Sequence, residues 1–331
     1  MNIKHVKSPC CQAKVRRFGR RRRQCCGCKK TWSIRVKKRG RPRHRTSIDL
    51  IRRVFLKHFS VSQLFSGRTN VKLAAYRYRF RQALARLVAS PYAPKIPDGR
   101  LVLLADGVWF QFKRRHWVLY LTALKPCTHK NAIFLKPHLY SGTESSTNWG
   151  KVFDAIPANV RFRICAVVGD NLRGMQALAA RNNWLLQLCQ FHMLLKLQVR
   201  RKGIRRSLIG GSLREELYDL ILCAMRTTDG HKFQETIVRL KELSKGTCGT
   251  RRIKSTVNEF LERVDYYRTF LDYPNLMLPT TTNTMESMGC VLRNMFRISR
   301  AGSNPKSLLT WADAMVRVKG KLACNPHKIN R

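Results

Sequence analysis

Two continuous apolar segments of the sequence each end beside an aspartate. Residues 101–105 precede Asp106, and residues 164–168 are followed by Gly169 and Asp170. Runs of this length and composition predict strands that are buried on both faces. A carboxylate beside a buried strand is costly unless it is paired or binds a metal. Both aspartates are therefore expected to have a cationic partner or a bound metal ion in the folded protein.

The segments around these two runs predict a mixed α/β sheet. Further strands are predicted at 116–124, 132–140 and 185–188, and helices at 145–156 and from Leu172. The first three strands follow one another directly, whereas the later strands alternate with helices. That order is typical of an α/β fold with one mixed sheet.

The charge of the chain is strongly unbalanced. Its 331 residues include 66 Lys and Arg against 18 Asp and Glu, which gives a net charge of +48. A chain this basic is expected to bind a polyanion, because clustered cations release condensed counterions from phosphates. The charge argues against an ordinary metabolic enzyme, and a hydrophobic content of 44% argues against a disordered chain.

The sequence predicts no membrane contact. No apolar run approaches the ~18 residues of a membrane span, and the start of the chain does not resemble a signal peptide. We therefore expect an intracellular protein whose twelve cysteines are reduced or metal-bound.

The scarcity of acidic residues makes each of them easier to assign. Ten of the eighteen lie within 205–279, and eight lie elsewhere. Five of these eight fit ordinary positions at a helix start, in a turn, in a polar loop and on two amphipathic helices: Asp49, Asp98, Glu144, Asp154 and Asp313. Asp106, Asp170 and Glu286 remain as candidates for a shared site.

Glu286 lies in the first turns of a helix that is predicted to continue to about residue 298. Four residues share its face within about 60° at helical spacing: Asn283, Arg293, Arg297 and Arg300. The opposite face is apolar and comprises Met288, Leu292, Met295 and Phe296. The helix thus presents a carboxylate with a stripe of guanidinium groups, for which a solvated charged face is the alternative interpretation.

Three carboxylates from two strand ends and a helix can hold two Mg²⁺ or Mn²⁺ ions. Such a pair activates a water or a 3′-hydroxyl and stabilises the leaving oxygen during in-line displacement at a phosphodiester. The arginines beside Glu286 would position the phosphate. In so basic a chain, we expect the substrate to be a nucleic-acid backbone.

The cysteines near the start of the chain indicate a small zinc ribbon. Cys25 and Cys28 form a C-x-x-C pair, whereas Cys10 and Cys11 are adjacent. Four thiolates from two turns are typical ligands of one structural zinc ion, and so polar a segment cannot otherwise build a core. Either a tight turn lets Cys10 and Cys11 both bind, or His5 replaces one of them. Surface thiols without a metal are the alternative.

The same region is expected to contact DNA. The first 45 residues contain 18 Lys and Arg and no acidic residue. The loop between the cysteine pairs contains four arginines: Arg20, Arg21, Arg22 and Arg23. The linker that follows contains Arg41 and Arg43 beside Gly and Pro, and it can either lie in a narrow minor groove or contact phosphates only.

Residues 46–90 predict two or three short helices, the last of which is basic and contains Arg77, Arg79 and Arg81. A helix-turn-helix that binds DNA fits this pattern. A helical hairpin that only packs on its neighbour is the alternative.

The order Asp106, Asp170, Cys189-Gln-Phe-His192 and Asn283-x-x-Glu286 resembles the DDE transposases of the Mutator-like group of bacterial insertion sequences. The resemblance implies a ribonuclease-H-like core with an all-α insertion before the last carboxylate. It also implies that Asp106, Asp170 and Glu286 are the catalytic triad and that Cys189 and His192 support the site. Without the resemblance, Cys189 and His192 are typical of core packing at a helix start.

These interpretations divide the chain into five segments. They are a zinc ribbon with a basic linker (1–45), a helix-turn-helix-like domain (46–98), the first part of the core (99–204), the all-α insertion (205–279) and the C-terminal core helices (280–331). The expected function is DNA transposition, in which the chain binds double-stranded element ends and target DNA as a homo-oligomer and cleaves and joins strands. The expected location is the cytoplasm and nucleoid of a prokaryotic cell. A nuclease of the same fold and a non-catalytic zinc-dependent DNA-binding regulator are the alternatives.

Overall fold

The computed structural model describes residues 7–19, 22–33, 48–57, 61–65, 73–197, 199–201, 204–206, 212–245, 251–299 and 304–324. The chain divides into two compact units, Met1–Leu50 and Ile51–Arg331. None of the helices in these ranges is both long enough and apolar enough to cross a membrane.

The first unit contains a small antiparallel sheet of three strands. They are β1 (Val15–Arg17), β2 (Arg22–Cys25) and β3 (Thr31–Ser33), with β2 in the centre. Cys25 at the end of β2 is fully buried, whereas most of the polar residues around it are exposed. The small size of this core is consistent with a segment that needs metal ligation to fold.

Three helices lie at the start of the second unit, the first of which begins just before the boundary, as the sequence predicts for 46–90. They are α1 (Ile48–Lys57), α2 (Val61–Phe65) and α3 (Leu73–Ala89). The apolar face of α1 is buried, and the ring of Phe55 packs edge-on against Trp311 at 5.5 Å between centroids. Phe80 of α3 packs against the same tryptophan at 5.6 Å, so one aromatic cluster joins these helices to the C-terminal part of the unit.

The central sheet contains seven strands among the described residues. They are β4 (Leu101–Phe112), β5 (Arg115–Pro126), β6 (Asn131–Phe134), β7 (His138–Ser141), β8 (Ile164–Gly169), β9 (Leu185–Leu188) and β12 (Lys321–Ala323). The strands β10 (Val199–Arg201) and β11 (Ile204–Arg206) pair only with each other and are not part of this sheet. The order is β12-β6-β5-β4-β8-β9, and β7 also pairs with β5. The pairs β4–β8 and β8–β9 are parallel and the others are antiparallel, which confirms the predicted mixed α/β sheet.

Two strand predictions need correction. β4 does not end before Asp106 but continues to Phe112, because it pairs with β5 along its whole length in one hairpin. The single strand predicted at 132–140 is two strands, β6 and β7, which are separated by residues 135–137. Pro137 lacks a backbone donor and interrupts the pairing with β5.

Helices connect the parallel strands and cover the sheet. They are α4 (Ser146–Asp154), α5 (Ala158–Arg161), α6 (Met175–Arg181) and α7 (Gln190–Leu197). The predicted helix from Leu172 begins three residues later, at Met175. A short antiparallel ribbon that the sequence did not predict follows α7, with β10 at Val199–Arg201 and β11 at Ile204–Arg206.

The predicted all-α insertion at 205–279 begins with the end of β11 rather than with a helix. The rest of its described part consists of α8 (Ser212–Arg226), α9 (Gly230–Lys245), α10 (Arg251–Leu261), α11 (Val264–Asp272) and a single 3-10 turn at Pro274–Leu276. The sequence of residues 253–271 predicts a single helix, but this stretch forms two helices, α10 and α11. The chain turns at Arg263, which lets Tyr267 of α11 reach β9 and receive hydrogen bonds on its backbone oxygen from Gln187 and Gln190. This requirement is tertiary, so no Gly or Pro marks the break.

Two helices, α12 (Asn283–Ser299) and α13 (Pro305–Lys319), complete the unit. The predicted apolar face of α12 is confirmed, since Met288, Leu292, Met295 and Phe296 are buried. Asp313 lies on a helix, α13, as predicted, but it is 2% exposed and forms a 2.7 Å ion pair with Arg317. Arg317 also donates to the backbone oxygens of Val88 and Ser90, which ties α13 to the end of α3.

Candidate active site and metal centre

Asp106 lies at the edge of the sheet where parallel pairing stops. The last pair between β4 and β8 is Leu104 with Val168, so Asp106 projects just beyond the region in which the two strands are joined. Asp170 directly follows the last residue of β8. The carboxyl ends of both strands therefore bring the two aspartates to the same edge, although β4 itself continues.

The helix α12 brings Glu286 to this edge. Gly289 allows a close approach to β4, because a Cβ atom there would lie only 2.6 Å from Cγ2 of Val108. Val108 shares a strand face with Asp106, since residues two apart on a strand point the same way. Glu286 lies one turn before Gly289, so this contact brings its carboxylate toward Asp106.

The start of α12 is held by the start of α7. The backbone N–H and the hydroxyl of Thr282 both lie 3.3 Å from Sγ of Cys189, and the N–H of Gln190 donates to the backbone oxygen of Thr280 at 2.9 Å. Cys189 is 1% exposed, so it acts here as a buried acceptor that fixes the segment leading into α12. The structure does not place it among ligands of a metal.

His192 of α7 lies between two of the candidate carboxylates. Its Nε2 atom is 2.8 Å from Oε1 of Glu286, and its Nδ1 atom is 3.9 Å from Oδ1 of Asp170. Burial opposes protonation of the ring, but the contacts with Cys189 and Glu286 outweigh it and raise the pKa of His192 to about 12. The buried Nδ1 atom has no hydrogen-bond partner within the described part of the chain.

The three candidate carboxylates differ in exposure. Asp106 is 5% exposed, whereas the side chains of Asp170 and Glu286 are 41% and 28% exposed. Burial raises the pKa of Asp106 to about 8, and His192 opposes this effect while Glu286, Glu144 and Asp170 reinforce it. The site therefore combines one buried carboxyl group with two that solvent or a substrate can reach.

Glu144 is a fourth acidic residue at this site, which the sequence assigned to a polar loop. Its carboxylate lies over Gly107, where a Cβ atom would come within 2.6 Å of it, and its Oε1 accepts a 2.8 Å hydrogen bond from the indole of Trp149. Burial raises the pKa of Glu144. The glycine directly after Asp106 was a signal that another group packs there, but it did not identify the group.

The described residues include two of the three arginines that the sequence predicts on one face of α12. Arg293 and Arg297 are exposed, and Asn283 is half-buried with an Oδ1 atom that has no hydrogen-bond partner within the described ranges. On α3, the side chains of Arg77, Arg79 and Arg81 are exposed, and Arg77 donates to the hydroxyl of Ser62. Arg22 is exposed and Arg23 half-buried on β2. Other predicted residues lie outside the described residues: His5, Arg20, Arg21, Arg41, Arg43 and Arg300.

A separate cluster of four thiols lies in the first unit. The Sγ atoms of Cys10, Cys11, Cys25 and Cys28 all lie within 4.8 Å of one another. A turn at residues 9–12 brings in both adjacent cysteines, with Cys10 3.2 Å from Cys28 and Cys11 3.1 Å from Cys25. Four thiols at this spacing suit a metal such as zinc, whose tetrahedral ligands at about 2.3 Å lie about 3.8 Å apart.

Ser8 packs beside this cluster of thiols. It is 2% exposed, and its hydroxyl lies 3.2 Å from Sγ of Cys25. The contact with Ser8 has the largest effect on Cys25 and the contact with Cys11 the next largest. Together they lower the pKa of Cys25 to about 6. The serine therefore favours the thiolate form that binds metal rather than supplying a ligand itself.

The carboxylates are spread more widely than the thiols. Within the described ranges, the four cysteines are the one group of three or more His, Cys, Asp or Glu whose ligand atoms lie so close together. The imidazole of His192 separates Asp170 from Glu286.

No protein-family model and no curated protein matches this chain. Among solved structures, the chain is similar to the Drosophila P element transposase strand transfer complex, with 12% sequence identity and a TM-score of 0.25. The similarity covers 87% of this chain and 81% of that chain. At this level it defines neither the fold nor the function, which have to be argued from the residues themselves.

Proposed function

We propose that this chain is a DNA transposase that binds the ends of a mobile element and cleaves and joins DNA strands at Asp106, Asp170 and Glu286. The observation that carries the proposal is the position of His192, which contacts Glu286 and faces Asp170 beside the buried Asp106. A half-buried histidine flanked by two acids, with two more acidic residues close by, is unexpected in a chain of net charge +48 unless the group has a function.

The donor atoms of this site suit hard divalent cations. Asp106, Asp170 and Glu286 offer carboxylate oxygens, and Asn283 offers an amide oxygen without a partner in the described part of the chain. Mg²⁺ and Mn²⁺ prefer such oxygen ligands. Two bound ions would activate the attacking hydroxyl or water and stabilise the leaving oxygen of the phosphodiester.

The protein's own groups orient the site. His192 donates from Nε2 to Glu286 and so fixes the direction of that carboxylate, while its Nδ1 side faces Asp170. Cys189 holds Thr282 and thereby sets where α12 begins. Arg293 and Arg297, exposed further along α12, are suited to bind the phosphates that flank the reacting bond.

The order of strands in the sheet supports the proposal of a ribonuclease-H-like core. Three antiparallel neighbours, β6, β5 and β4, are followed by two parallel strands that are reached through helices, and a helical insertion precedes α12. This arrangement agrees with the resemblance to Mutator-like transposases of bacterial insertion sequences. The proposal includes one zinc ion in the N-terminal ribbon, end binding by residues 1–98, and a homo-oligomer on paired ends in a prokaryotic cell.

The test uses the full-length protein with labelled duplexes from the DNA that flanks its gene, a target plasmid and Mg²⁺. Asp106→Asn, Asp170→Asn and Glu286→Gln are each expected to abolish nicking and joining while duplex binding persists, because they remove a ligand without changing shape. Asp98→Asn is the matched control, since Asp98 is an exposed turn residue away from the carboxylates.

The products separate the proposal from its alternatives. Joined products support a transposase, whereas cleavage without joining at any pair of ends would identify a nuclease of the same fold. Duplex binding with no reaction in wild-type protein would instead support a DNA-binding regulator. Full cleavage by any one of the three variants would refute the assignment of the triad.

A further inference from the structure

Glu259 of the helical insertion contacts two elements that carry site residues. Its Oε1 atom accepts a 2.6 Å hydrogen bond from Nδ2 of Asn171 and a 2.5 Å hydrogen bond from Nζ of Lys196. Asn171 directly follows Asp170, and Lys196 belongs to α7, the helix of His192. One carboxylate oxygen of α10 therefore joins the β8 loop to α7.

The loop after β8 is held through Asn171, because both the nitrogen and the oxygen of its side-chain amide have partners in the insertion. While Nδ2 of Asn171 donates to Glu259, its Oδ1 accepts a hydrogen bond from Arg263, which lies at the turn between α10 and α11. The backbone N–H of Asn171 donates to Oδ1 of Asp170 at 2.6 Å. The insertion thus fixes Asn171, and Asn171 in turn fixes the carboxylate of Asp170.

The second contact acts on His192. Lys196 lies four residues after His192, so the two side chains lie on the same face of α7, one turn apart. By holding Lys196, Glu259 restrains the rotation of α7 that would move His192 relative to Asp170 and Glu286. The two restraints converge on the gap between Asp170 and His192.

Attachment of the insertion to the core does not depend on Glu259. Val257 and Phe260 of α10 and Tyr267 of α11 are all 1% exposed or less and belong to the core that includes the sheet. The ion pair with Lys196 is about one-third exposed on both sides, and such a pair contributes little to stability. What distinguishes this ion pair is that it joins the insertion to α7, the helix that carries His192.

We propose that Glu259 is a positioning residue, through which the helical insertion sets Asp170 and His192 for metal binding. The proposal rests on the proposed function in so far as Asp170 is a metal ligand. Groups that orient metal ligands typically change metal affinity by about 10- to 100-fold when they are removed. A residue that only stabilised the fold would leave the affinity of the folded protein unchanged.

The experiment compares full-length wild type with Glu259→Ala, Glu259→Gln, Asn171→Ala and the control Glu216→Gln. Glu216 is a suitable control because it forms a 2.7 Å ion pair with Arg239 inside the same insertion but does not contact α7 or the β8 loop in the described structure. Mn²⁺ binding is measured by electron paramagnetic resonance, and amide hydrogen exchange is measured for peptides covering 168–172 and 190–197.

We expect Glu259→Ala to weaken Mn²⁺ binding by about tenfold and to speed exchange in both peptides. Glu259→Gln, which still accepts hydrogen bonds, should restore part of the affinity. Asn171→Ala should also weaken Mn²⁺ binding, because it removes one of the two contacts of Glu259. Glu216→Gln should behave as wild type.

Two results would overturn the proposal. One is Mn²⁺ affinity in Glu259→Ala that matches Glu216→Gln, and the other is unchanged exchange in the 168–172 peptide. Wild-type protein that binds no Mn²⁺, or binds it equally well with Asp170→Asn, would refute the proposed function instead. The exchange data would then still decide whether Glu259 orders the loop after β8.

Discussion

The contact between α12 and β4 gives the most quantitative prediction. A Cβ atom at Gly289 would lie 2.6 Å from Cγ2 and 3.1 Å from Cγ1 of Val108. An ordinary contact between carbon atoms is about 3.5 Å, so in Gly289→Ala either Val108 or α12 has to shift by about 0.9 Å. Val108 is 2% exposed and has little room to move, so we expect α12 to be displaced from β4. Glu286 lies on the turn of α12 that moves.

The expected effects on stability and activity differ in size. Overpacking of this kind costs about 1–3 kcal/mol, and replacing Gly by Ala within a helix recovers about 1 kcal/mol. The net loss in the free energy of unfolding is therefore about 0–2 kcal/mol. Displacement of a reacting group by about 1 Å can lower a rate about 100-fold. We therefore expect nicking to fall by about 100-fold in a protein that stays folded.

The assay measures nicking of a labelled element end in Mg²⁺ together with urea unfolding of the same samples. Gly150→Ala is the matched control, because a Cβ atom at this helical position would meet Leu178 at an ordinary 3.6 Å. It should leave nicking unchanged. Adding Val108→Ala to Gly289→Ala removes the clashing methyl groups and should recover most of the nicking rate.

The reasoning would be wrong if Gly289→Ala nicked at the wild-type rate. It would also be wrong if Val108→Ala failed to improve the Gly289→Ala protein, since the loss would then have another origin than the displacement of α12.

Two further predictions concern stability and zinc. Asp313→Ala leaves Arg317, whose side chain is 8% exposed, with its backbone partners only, and should lower the free energy of unfolding by about 3–5 kcal/mol. Asp154→Ala breaks exposed ion pairs with Arg161 and Arg181 and should cost at most about 1 kcal/mol, so equal losses in urea titrations would contradict the assignment. Elemental analysis of the full chain should find about one zinc ion per molecule. Cys25→Ala should lose that ion and Cys26→Ala should keep it, because Cys26 is exposed and lies outside the cluster.

Much of the candidate site could be predicted because acidic residues are scarce in this chain. With eight acids outside 205–279, Asp106, Asp170 and Glu286 stood out by their positions beside apolar runs and on an Arg-rich helix. Glu144 and Glu259 could not be found in this way. Their local sequences are those of an ordinary loop and an ordinary helix, and the approach of Glu144 to Gly107 and of Glu259 to Asn171 joins residues that are far apart in the chain.

The sequence by itself determined the kinds of elements, because apolar periodicity and burial preference act over a few neighbouring residues. It indicated the buried strands at β4, β8 and β9, the apolar face of α12 and the four thiols of the ribbon. The tertiary structure alone decided how far β4 extends, since its second half is stabilised by pairing with β5. It also decided that His192 lies between Asp170 and Glu286. That position depends on the parallel order of β4, β8 and β9 and on the approach permitted by Gly289, which are contacts between residues far apart in the chain.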